Sequence, residues 1–321
     1  MTDRKMHLYL IFITCVLAVA SYFLFYGGPQ YHADRSTKEL WNLGHIAYFS
    51  LLVFALTRLR WIRQMTPAVQ WLVLVLTTLL LGTLIEVLQY GSERTPDLAD
   101  ILRDLSGCLL VLAFYPGLLC FRSLLAVRLI RIAVAVMLVL QLKPFVIAVV
   151  DESIARTQFP VLSDFSTPFE LDRWKGGAGR EVETAGYAEG RAVMKVSLGT
   201  EQYSGLGMQY FPSDWSGYHS LHLTLFLPLG DALTITLRIH DLAHELGADP
   251  YRHEDRFNRR YTLQPGWNEI TVVLSEVENA LKSRKMDLSR VKDVSFFSIS
   301  LQQPRVIYLD RVYLGRIIMP G

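Results

Sequence analysis

Residues 69–90 read VQWLVLVLTTLLLGTLIEVLQY, an apolar stretch that is long enough to cross a lipid bilayer as a single helix. A spanning helix needs about 20 mostly apolar residues, because the hydrocarbon core offers no water to the backbone polar groups. The only charged side chain in this stretch is that of Glu86. The sequence therefore predicts an integral membrane protein.

Four further apolar segments lie on either side of this stretch. They are residues 8–26, 40–56, 98–121 and 132–150. The last one contains Lys143 and Pro144, which a membrane helix accommodates as a side chain that reaches the interface and as a kink. The pattern predicts a membrane α-helical bundle of about five transmembrane helices, in a domain that spans residues 1–152.

The overall composition averages two different halves. Mean hydropathy is +0.26 and 19% of the residues are charged, but nearly all of the apolar excess precedes Val150. The formal charge of +2 gives no indication of a nucleic-acid partner. The three cysteines, Cys15, Cys108 and Cys120, lie in apolar segments, so the second half has none with which to form a disulfide.

Lysine and arginine in the short loops indicate the orientation in the membrane. Three basic groups fall on one side of successive segments: Arg4 and Lys5; Arg58, Arg60 and Arg63; and Arg122, Arg128 and Arg131. The opposite side has a weaker positive set, Arg35, Lys38, Arg94 and Arg103. The rule predicts a multi-pass protein of the cytoplasmic (inner) membrane, with a cytoplasmic N-terminus and an extracytoplasmic C-terminal domain. Ala18-Val19-Ala20 also resembles a signal-peptidase site, so cleavage of the first segment stays open.

Ionisable side chains inside spanning helices are costly and therefore suggest a functional site. Several polar residues share one depth near the predicted outer boundary: His45, Glu86, Gln89, Asp97, Asp100 and Asp104, with Arg94 at the mouth. The candidate catalytic residues are His45, Glu86, Asp100 and Asp104. The candidate ligand-binding residues of this cluster are Gln89, Arg94 and Asp97. The alternative is that these are ordinary residues of helix ends, where acids favour the N-terminus, and that His45 only packs.

The spacing places these groups on helical stripes. Gly82 shares a stripe with Glu86 and Gln89, and Gly107 shares one with the three aspartates of the fourth segment. A glycine on such a stripe permits close approach of a neighbouring helix. Thr95 followed by Pro96 is a plausible start for the fourth helix.

These residues resemble the VanZ-like membrane family, which is associated with low-level resistance to glycopeptides (teicoplanin). The resemblance covers about residues 8–121 and depends on His45 within 42–49, Glu86-Val-Leu-Gln89, Arg94, the aspartates and Asp104-Leu-Ser-Gly107. One difference is Asp104, where the family is expected to have Asn more often, which leaves the charge of the site open. The biochemical activity of this family is poorly defined, so the resemblance implies membership of a family but no particular reaction.

A polar linker is expected at about 151–158, and the sequence then changes to a two-residue period. Leucines at 221, 223, 225 and 227 alternate with other residues, and the same occurs from Leu233 to Ile239. Further strand candidates are residues 192–198, 261–263, 268–274, 294–301 and 306–314. Ser275 with Glu278 has the spacing of a capping box. The pattern predicts an all-β sandwich or jelly roll at 158–316, which is expected to fold alone from about Gln158.

The second half resembles a galactose-binding-like jelly roll of the carbohydrate-binding-module type over about residues 162–315. The resemblance depends on Trp215-Ser-Gly-Tyr, Ile239-His-Asp, residues 255–260, Pro265-Gly-Trp-Asn and Tyr308-Leu-Asp-Arg-Val. It implies a ligand on one sheet face or loop end, and Thr234 and Thr236 lie on the candidate face. The candidate ligand-binding residues are Arg238, His240, Asp241, Arg256 and Asn258, with Arg260 beside them.

Other residues of this half have structural alternatives. Trp215 and Trp267 follow turn residues and are expected to fill the core rather than to stack on sugars. Asp164 and Asp310 are placed where such sandwiches hold calcium, but without a visible ligand set no metal and no cofactor is predicted.

Three functions remain open at this point. The first is a membrane-embedded binding protein that recognises a lipid-linked or glycopeptide-like molecule, with a sandwich that binds envelope glycan. The second is an intramembrane enzyme that acts on an envelope lipid through His45, Glu86 or Asp104, with Arg94 on a phosphate or carboxylate. The third, a transporter, is disfavoured because five helices without an internal repeat make a small bundle. The expected partners are the lipid bilayer and an envelope glycan or lipid-linked ligand.

Overall fold

The computed structural model describes residues 3–25, 28–29, 33–90, 97–118, 123–184, 188–247 and 252–316. Contacts within the chain divide it into two compact units, Met1–Ala148 and Val149–Gly321. The first unit is helical and the second is a β-sandwich. Each unit is described by itself.

The described residues of the helical unit form five helices and most of a sixth. They are α1 (Asp3–Phe25), α2 (Arg35–Leu56), α3 (Arg60–Arg63), α4 (Pro67–Tyr90), α5 (Leu98–Phe114) and α6 (Leu124–Gln158). Among the described residues, three helices are long and apolar enough to cross a membrane: Arg35–Leu56, Pro67–Gln89 and Leu124–Gln158. The predicted number of five is not confirmed: α5 has 17 residues, and Ile11–Phe23 is the part of α1 whose side chains the structure describes.

Two local predictions about these helices were wrong. The N-cap of α5 is Asp97, whose side chain accepts a hydrogen bond from Ala99 N at 2.9 Å, and not Thr95, which lies outside the described residues with Pro96. Residues 151–158 do not form a separate linker, because α6 continues through Pro144 to Gln158. The predicted domain limits at 152 and 158 stay a prediction.

Two glycines allow α5 to approach its neighbours closely, as their stripes predicted. A Cβ atom on Gly107 would overlap the backbone carbonyl O of Ile46 in α2. A Cβ atom on Gly82 of α4 would lie 2.5 Å from Oδ2 of Asp104. A small apolar core of Val53, Leu74, Cys108 and Leu112 joins the same three helices. The close approach brings the polar stripes of α4 and α5 against α2.

The second unit is a sandwich of two antiparallel sheets. Its strands are β1 (Val161–Ser163), β2 (Trp174–Gly176), β3 (Gly179–Thr184), β4 (Ala192–Leu198), β5 (Tyr203–Met208), β6 (Ser220–Leu227), β7 (Leu233–Asp241), β8 (Phe257–Leu263), β9 (Gly266–Val273), β10 (Val291–Ile299) and β11 (Arg305–Gly315). The first sheet has the order β3-β4-β11-β6-β9, with β1 paired to β11. The second sheet has the order β2-β5-β10-β7-β8. The predicted sandwich architecture is confirmed.

The alternating strands bury the side chains that their period predicted. Leu221, Leu223, Leu225 and Leu227 of β6 face the core, as do Leu233, Ile235, Leu237 and Ile239 of β7. Strand β5 was not predicted, because Gly205 and Gly207 reduce the β propensity of its short sequence. Two short helices accompany the strands, α7 (Leu242–Glu245) and α8 (Leu274–Glu278). The prediction that Ser275 and Glu278 form a capping box was wrong, because α8 begins at Leu274 and Val273 is its N-cap.

The two tryptophans that were expected in the core have opposite positions. Trp215 is fully buried, and its indole N–H donates to Pro212 O at 3.1 Å. Trp267 is 43% exposed and contacts Phe226 on the outer face of the first sheet, so that prediction was wrong. Asp310 pairs with Arg191 at 3.0 Å, and Oδ1 of Asp164 accepts from Ser166 N at 3.1 Å.

Candidate functional site

Two helices, α2 and α5, bring a histidine and two aspartates together in the helical unit. His45 of α2 is 6% exposed, and its Nδ1 lies 2.8 Å from Oδ1 of Asp104 in α5. Its Nε2 lies 3.7 Å from Oδ2 of Asp100, one turn earlier in α5. The first distance is a hydrogen bond and the second is longer than one. The imidazole is therefore held between two carboxylates and oriented by Asp104.

Arg103 belongs to this cluster, although the sequence analysis assigned it only to a loop charge set. Its guanidinium forms an ion pair with Asp100, and its Nη1 lies 3.7 Å from Oδ2 of Asp97. The Arg103 side chain is buried in α5. Its position three residues after Asp100 was a usable signal, because residues three apart are neighbours on a helix.

Glu86 approaches the cluster from α4. Its Oε2 accepts a hydrogen bond from the backbone N–H of Asp97 at 2.8 Å, which ties the end of α4 to the start of α5. Its Oε1 is buried and has no hydrogen bond to any described residue. Gln89 is buried one turn later in α4. Arg94, the predicted phosphate or carboxylate ligand, lies outside the described residues.

The cluster has the chemistry of proton handling or of binding to polar groups. A histidine oriented by a carboxylate is the usual arrangement of a general base, and the open Oε1 of Glu86 can accept one more hydrogen bond. Among the described residues the cluster has four carboxylates, those of Glu86, Asp97, Asp100 and Asp104, against the one guanidinium of Arg103. This excess of carboxylates among the described residues favours the binding of a ligand's hydroxyl or cationic groups over that of its anionic groups.

A second polar site lies on the outer face of the five-stranded sheet. Strand register aligns Asn258, Arg238, Ser295 and Gly207 in one row across β8, β7, β10 and β5. The next row contains Arg260, Thr236, Phe297 and Gly205. Arg238 and Asn258, both predicted as ligand-binding residues, are thus direct cross-strand neighbours.

The Arg238 guanidinium is held in place by β10. Its Nε donates to Ser295 Oγ at 3.0 Å, and its Nη2 lies 3.7 Å from Oδ2 of Asp293. Its central carbon lies 5.7 Å from the centre of the Phe297 ring. The side chain stays half-buried, so part of the guanidinium is accessible from solvent.

Two aromatic side chains that the sequence analysis missed complete this face. Tyr203 is 56% exposed, and its ring lies 5.8 Å from that of Phe297. Phe297 lies directly beside Gly205, where an added Cβ atom would overlap it. Because glycine on β5 leaves this space, Phe297 packs directly over the strand. The sequence signal that was missed is the two-residue period of β10. Because Phe296 is buried, its neighbours Ser295 and Phe297 lie on the outer face.

Three of the predicted ligand residues lie at one end of this sheet. His240 is buried beneath Glu245, whose Oε1 lies 3.3 Å from its Nε2, and Arg256 Nη2 lies 3.3 Å from His253 Nδ1. Asp241 was misassigned, because it is fully buried and caps α7 by accepting from His244 N at 3.0 Å. It is a structural residue rather than a ligand on the polar face.

Asp241 and Asp255 share the guanidinium of Arg284. Arg284 donates to Asp241 at 2.5 and 2.7 Å and to Asp255 at 2.7 and 2.9 Å. Burial alone would raise the pKa of Asp241, but the hydrogen bonds from Arg284 and from the backbone N–H groups of Asp287 and His244 hold it below its ordinary value. Hydrogen bonds from Arg284 likewise lower the pKa of Asp255. Both carboxylates are therefore ionised at neutral pH.

Among the described residues, no group of three or more His, Cys, Asp and Glu side chains is arranged to hold a metal ion.

No protein-family model matches the chain, and no curated protein matches it. The VanZ resemblance is thus not confirmed. The β-sandwich resembles carbohydrate-binding modules among solved structures. A family 11 carbohydrate-binding module from Clostridium thermocellum, in complex with a beta-1,3-1,4-mixed-linked tetrasaccharide, is 18% identical over 49% of this chain and 94% of the module, with a TM-score of 0.36. An exo-beta-agarase is 18% identical over 50% of this chain and 25% of its own, with a TM-score of 0.40.

Proposed function

We propose that this chain is a VanZ-like membrane protein of the bacterial envelope whose exported sandwich binds a glycan on the outer face of the five-stranded sheet. The observation that carries the proposal is the position of Arg238, which lies between Asn258 and Ser295 and beside the aromatic pair Tyr203 and Phe297. The proposed cellular location is the cytoplasmic membrane, with the sandwich on its outer side.

The composition of this face suits a sugar chain. Sugar hydroxyls both donate and accept hydrogen bonds, so a guanidinium, an amide and a hydroxyl in one row offer them complementary partners. The exposed Tyr203 ring offers a flat apolar surface with a polar tip, which suits the ring face of a sugar. Because Ser295 and Asp293 already hold Arg238, little side-chain entropy is lost when a ligand binds to it.

The test is retention of the full-length, detergent-solubilised protein on insoluble peptidoglycan and on immobilised envelope polysaccharides. We expect Arg238→Ala and Tyr203→Ala to reduce retention by about tenfold, which corresponds to about 1.4 kcal/mol. The matched control is Arg311→Ala, which removes an exposed guanidinium from the outer face of the other sheet. Equal retention of all variants would contradict this face, and no retention of the unmodified protein on any of these glycans would contradict glycan binding.

The His45 cluster supports a second candidate function for the helical half. We propose that it recognises an envelope lipid or a glycopeptide-like molecule at this site. The alternative is an intramembrane enzyme that uses His45, oriented by Asp104, as base with Glu86 as a second proton carrier. The specific observation in favour of a site is the buried Oε1 of Glu86, which has no hydrogen bond to any described residue, because a buried acceptor is costly unless a partner, a ligand or a proton satisfies it.

Binding and catalysis are separated by lipid analysis of membranes that contain the protein. Catalysis predicts that an envelope lipid is depleted with a corresponding product, and that Glu86→Gln and His45→Gln abolish the change. Binding without catalysis predicts an unchanged lipid profile but a lipid that co-purifies with the unmodified protein and not with His45→Gln. A profile and co-purified lipids that are identical for all three proteins would contradict both functions.

A further inference from the structure

A groove of about 400 Å³ lies between α1 and α2, and His45 is one of the residues that line it. Its walls are mostly apolar and are formed by Ala20 and Phe23 of α1 and by Thr37, Leu40, Trp41, Gly44 and Tyr48 of α2. This volume falls within the range of about 300–1,000 Å³ that is usual for small-molecule pockets. Among the described lining residues, His45 is the one ionisable side chain apart from the Tyr48 phenol, and it also belongs to the polar cluster.

Contacts between the two helices hold the groove in shape. The Phe23 and Trp41 rings pack edge to face with 6.2 Å between their centres. Ser21 Oγ and Tyr48 OH form a hydrogen bond at 2.9 Å, which satisfies the Tyr48 hydroxyl. Gly44 forms part of the floor, and a Cβ atom at this position would meet nothing within 4 Å. The empty space above Gly44 is therefore part of the groove.

The polar end of the groove selects the headgroup of its occupant. Nδ1 of His45 is bonded to Asp104, whereas Nε2 is too far from Asp100 for a hydrogen bond and has no other among the described residues. A neutral imidazole that donates from Nδ1 accepts at Nε2, and an imidazolium donates there. A hydroxyl group both donates and accepts, so it fits either state.

The charges of the described residues around His45 argue against an anionic headgroup. The carboxylates of Asp100 and Asp104 lie on the two sides of the imidazole, and Arg103 is already paired with Asp100. A phosphate at Nε2 would be placed next to an excess of negative charge, in a setting where like charges are poorly screened. A neutral hydroxyl has no such penalty.

We infer that this groove binds the hydrocarbon chain of a lipid whose neutral hydroxyl headgroup hydrogen-bonds to Nε2 of His45. The occupant is argued from the surroundings: α2 is long and apolar enough to cross a membrane, so its apolar groove faces lipid chains rather than water. The inference rests on the proposed role of the His45 cluster as a binding site and specifies the ligand class of that site.

The test uses the full-length protein in phosphatidylcholine nanodiscs and a photoactivatable probe, hexadecanol with a diazirine in the middle of its chain. Peptide mapping by mass spectrometry locates the label. We expect labelling at Trp41 and Tyr48 in excess of that at the exposed Leu80 and Val87 of α4. The matching hexadecyl phosphate probe is expected to label the groove about tenfold less, as a difference of one unfavourable charge contact predicts.

Two substitutions at one position separate filling of the groove from damage to the fold. Gly44→Ala adds one methyl group to the open space of the groove and is expected to lower labelling less than the larger substitutions at this position do. Gly44→Phe fills the groove and is expected to lower labelling at Trp41 and Tyr48 by about tenfold or more, because an occupied apolar pocket excludes its ligand. Gly44→Leu serves as a second filling variant, and Leu80→Phe on the exposed face of α4 is the matched control for added bulk. An unchanged melting temperature shows that each variant is folded.

The outcomes distinguish this inference from the proposed function on which it rests. Equal labelling at Trp41 and Leu80 would contradict lipid binding in the groove. Labelling at Trp41 and Tyr48 that is unchanged in both Gly44→Phe and Gly44→Leu would contradict it as well. If His45→Gln still abolishes lipid co-purification in that case, the cluster binds its ligand from another side. If neither the groove variants nor His45→Gln change lipid binding, both proposals fail. Stronger labelling by the phosphate probe than by the alcohol overturns the assignment of the headgroup.

Discussion

Asp151 and Arg173 form a buried ion pair that joins the end of α6 to the sandwich. Nη2 of Arg173 lies 2.7 Å from Oδ1 of Asp151, and Nε lies 3.0 Å from the same atom. Nη1 donates to Leu162 O at 2.8 Å, and the Arg173 side chain is fully buried. The last turns of α6 therefore belong to the hydrogen-bonded structure of the Val149–Gly321 unit.

A sandwich fragment that begins at Gln158 is expected to be unstable because it lacks Asp151. Without Asp151, the Arg173 guanidinium keeps, among the carboxylates of the described residues, only the longer contact of its Nη1 with Glu170 Oε2 at 3.9 Å, so we expect a loss of about 3 kcal/mol, the lower end of the range for a broken buried pair. A fragment that begins at Val149 keeps the pair and should unfold at a higher urea concentration. Denaturant titration of the two fragments measures the difference.

Asp151→Leu combined with Arg173→Met in the longer fragment is the control. Replacement of a buried ion pair by apolar groups of similar size is often neutral or stabilising. The double variant should therefore be more stable than Asp151→Leu alone. Equal stability of the two fragments would show that the ion pair is dispensable.

Gly107→Ala is expected to destabilise the packing of α2 against α5. The added Cβ atom would overlap Ile46 O and lie 3.0 Å from Ser50 N, and neither backbone atom can move without displacing α2. Overpacking of this kind costs about 1–3 kcal/mol. Gly44→Ala is the matched control, because its Cβ atom meets nothing within 4 Å. The melting temperature of the detergent-solubilised variants is the measurement, and equal melting temperatures would contradict the close approach.

The sandwich is expected to lose stability in acid through Asp241 and Asp255. Their pKa values are lowered in the folded state, so the stability they contribute is complete above their unfolded values of about 4. It is lost as the pH falls from about 4 through the folded pKa values. Urea unfolding of the Val149–Gly321 fragment between pH 7 and pH 2 measures this dependence.

Arg284→Met should weaken this acid dependence and lower stability at pH 7. Asp241 would keep its hydrogen bonds from His244 N and Asp287 N, so a loss of about 3 kcal/mol, the lower end of the range for a broken buried pair, is expected. A variant with the same slope of stability against pH as the unmodified fragment would show that other carboxylates cause the acid sensitivity.

Reporter fusions test the predicted orientation. A periplasmic alkaline phosphatase fused after Gly315 should be active, because the proposed topology exports the sandwich. The same enzyme inserted after Arg63, in the proposed cytoplasmic loop, should be inactive. A green fluorescent protein that folds only in the cytoplasm should give the reverse pattern. Fluorescence from the fusion after Gly315 would contradict the export of the C-terminal domain.

The close contacts of the helical cluster were predictable only in part. Helical spacing placed Gly82 and Gly107 on the stripes that contain Glu86 and the aspartates, and the structure shows both glycines at close helix contacts. Arg103 was assigned to the wrong environment, because a count of loop charges does not consider which face of a helix a side chain occupies. The pairing of His45 with Asp104, 59 residues apart, depends on how helices pack.

Local periodicity was sufficient to determine the character of each half of this protein. Long apolar runs predicted the helices α2, α4 and α6, and alternating apolar residues predicted the strands β6 and β7. Each type of element repeats its buried side chains with its own period, about 3.6 residues in a helix and two in a strand. The same period cannot say which strands pair or in which register. Trp215 and Trp267 both follow turn residues, yet one is buried and the other is exposed.

Tertiary structure alone decided the contacts between distant residues. Register across three strands set Arg238 beside Asn258 and Ser295, and the glycines of β5 left room for Phe297. Asp241 and Asp255 became one network through Arg284, and Asp151 became the partner of Arg173. The physical reason is that a charged side chain is buried at tolerable cost only when an oppositely charged side chain lies beside it. In these pairs the two side chains are far apart in the sequence, so only the folding of the chain brings them together.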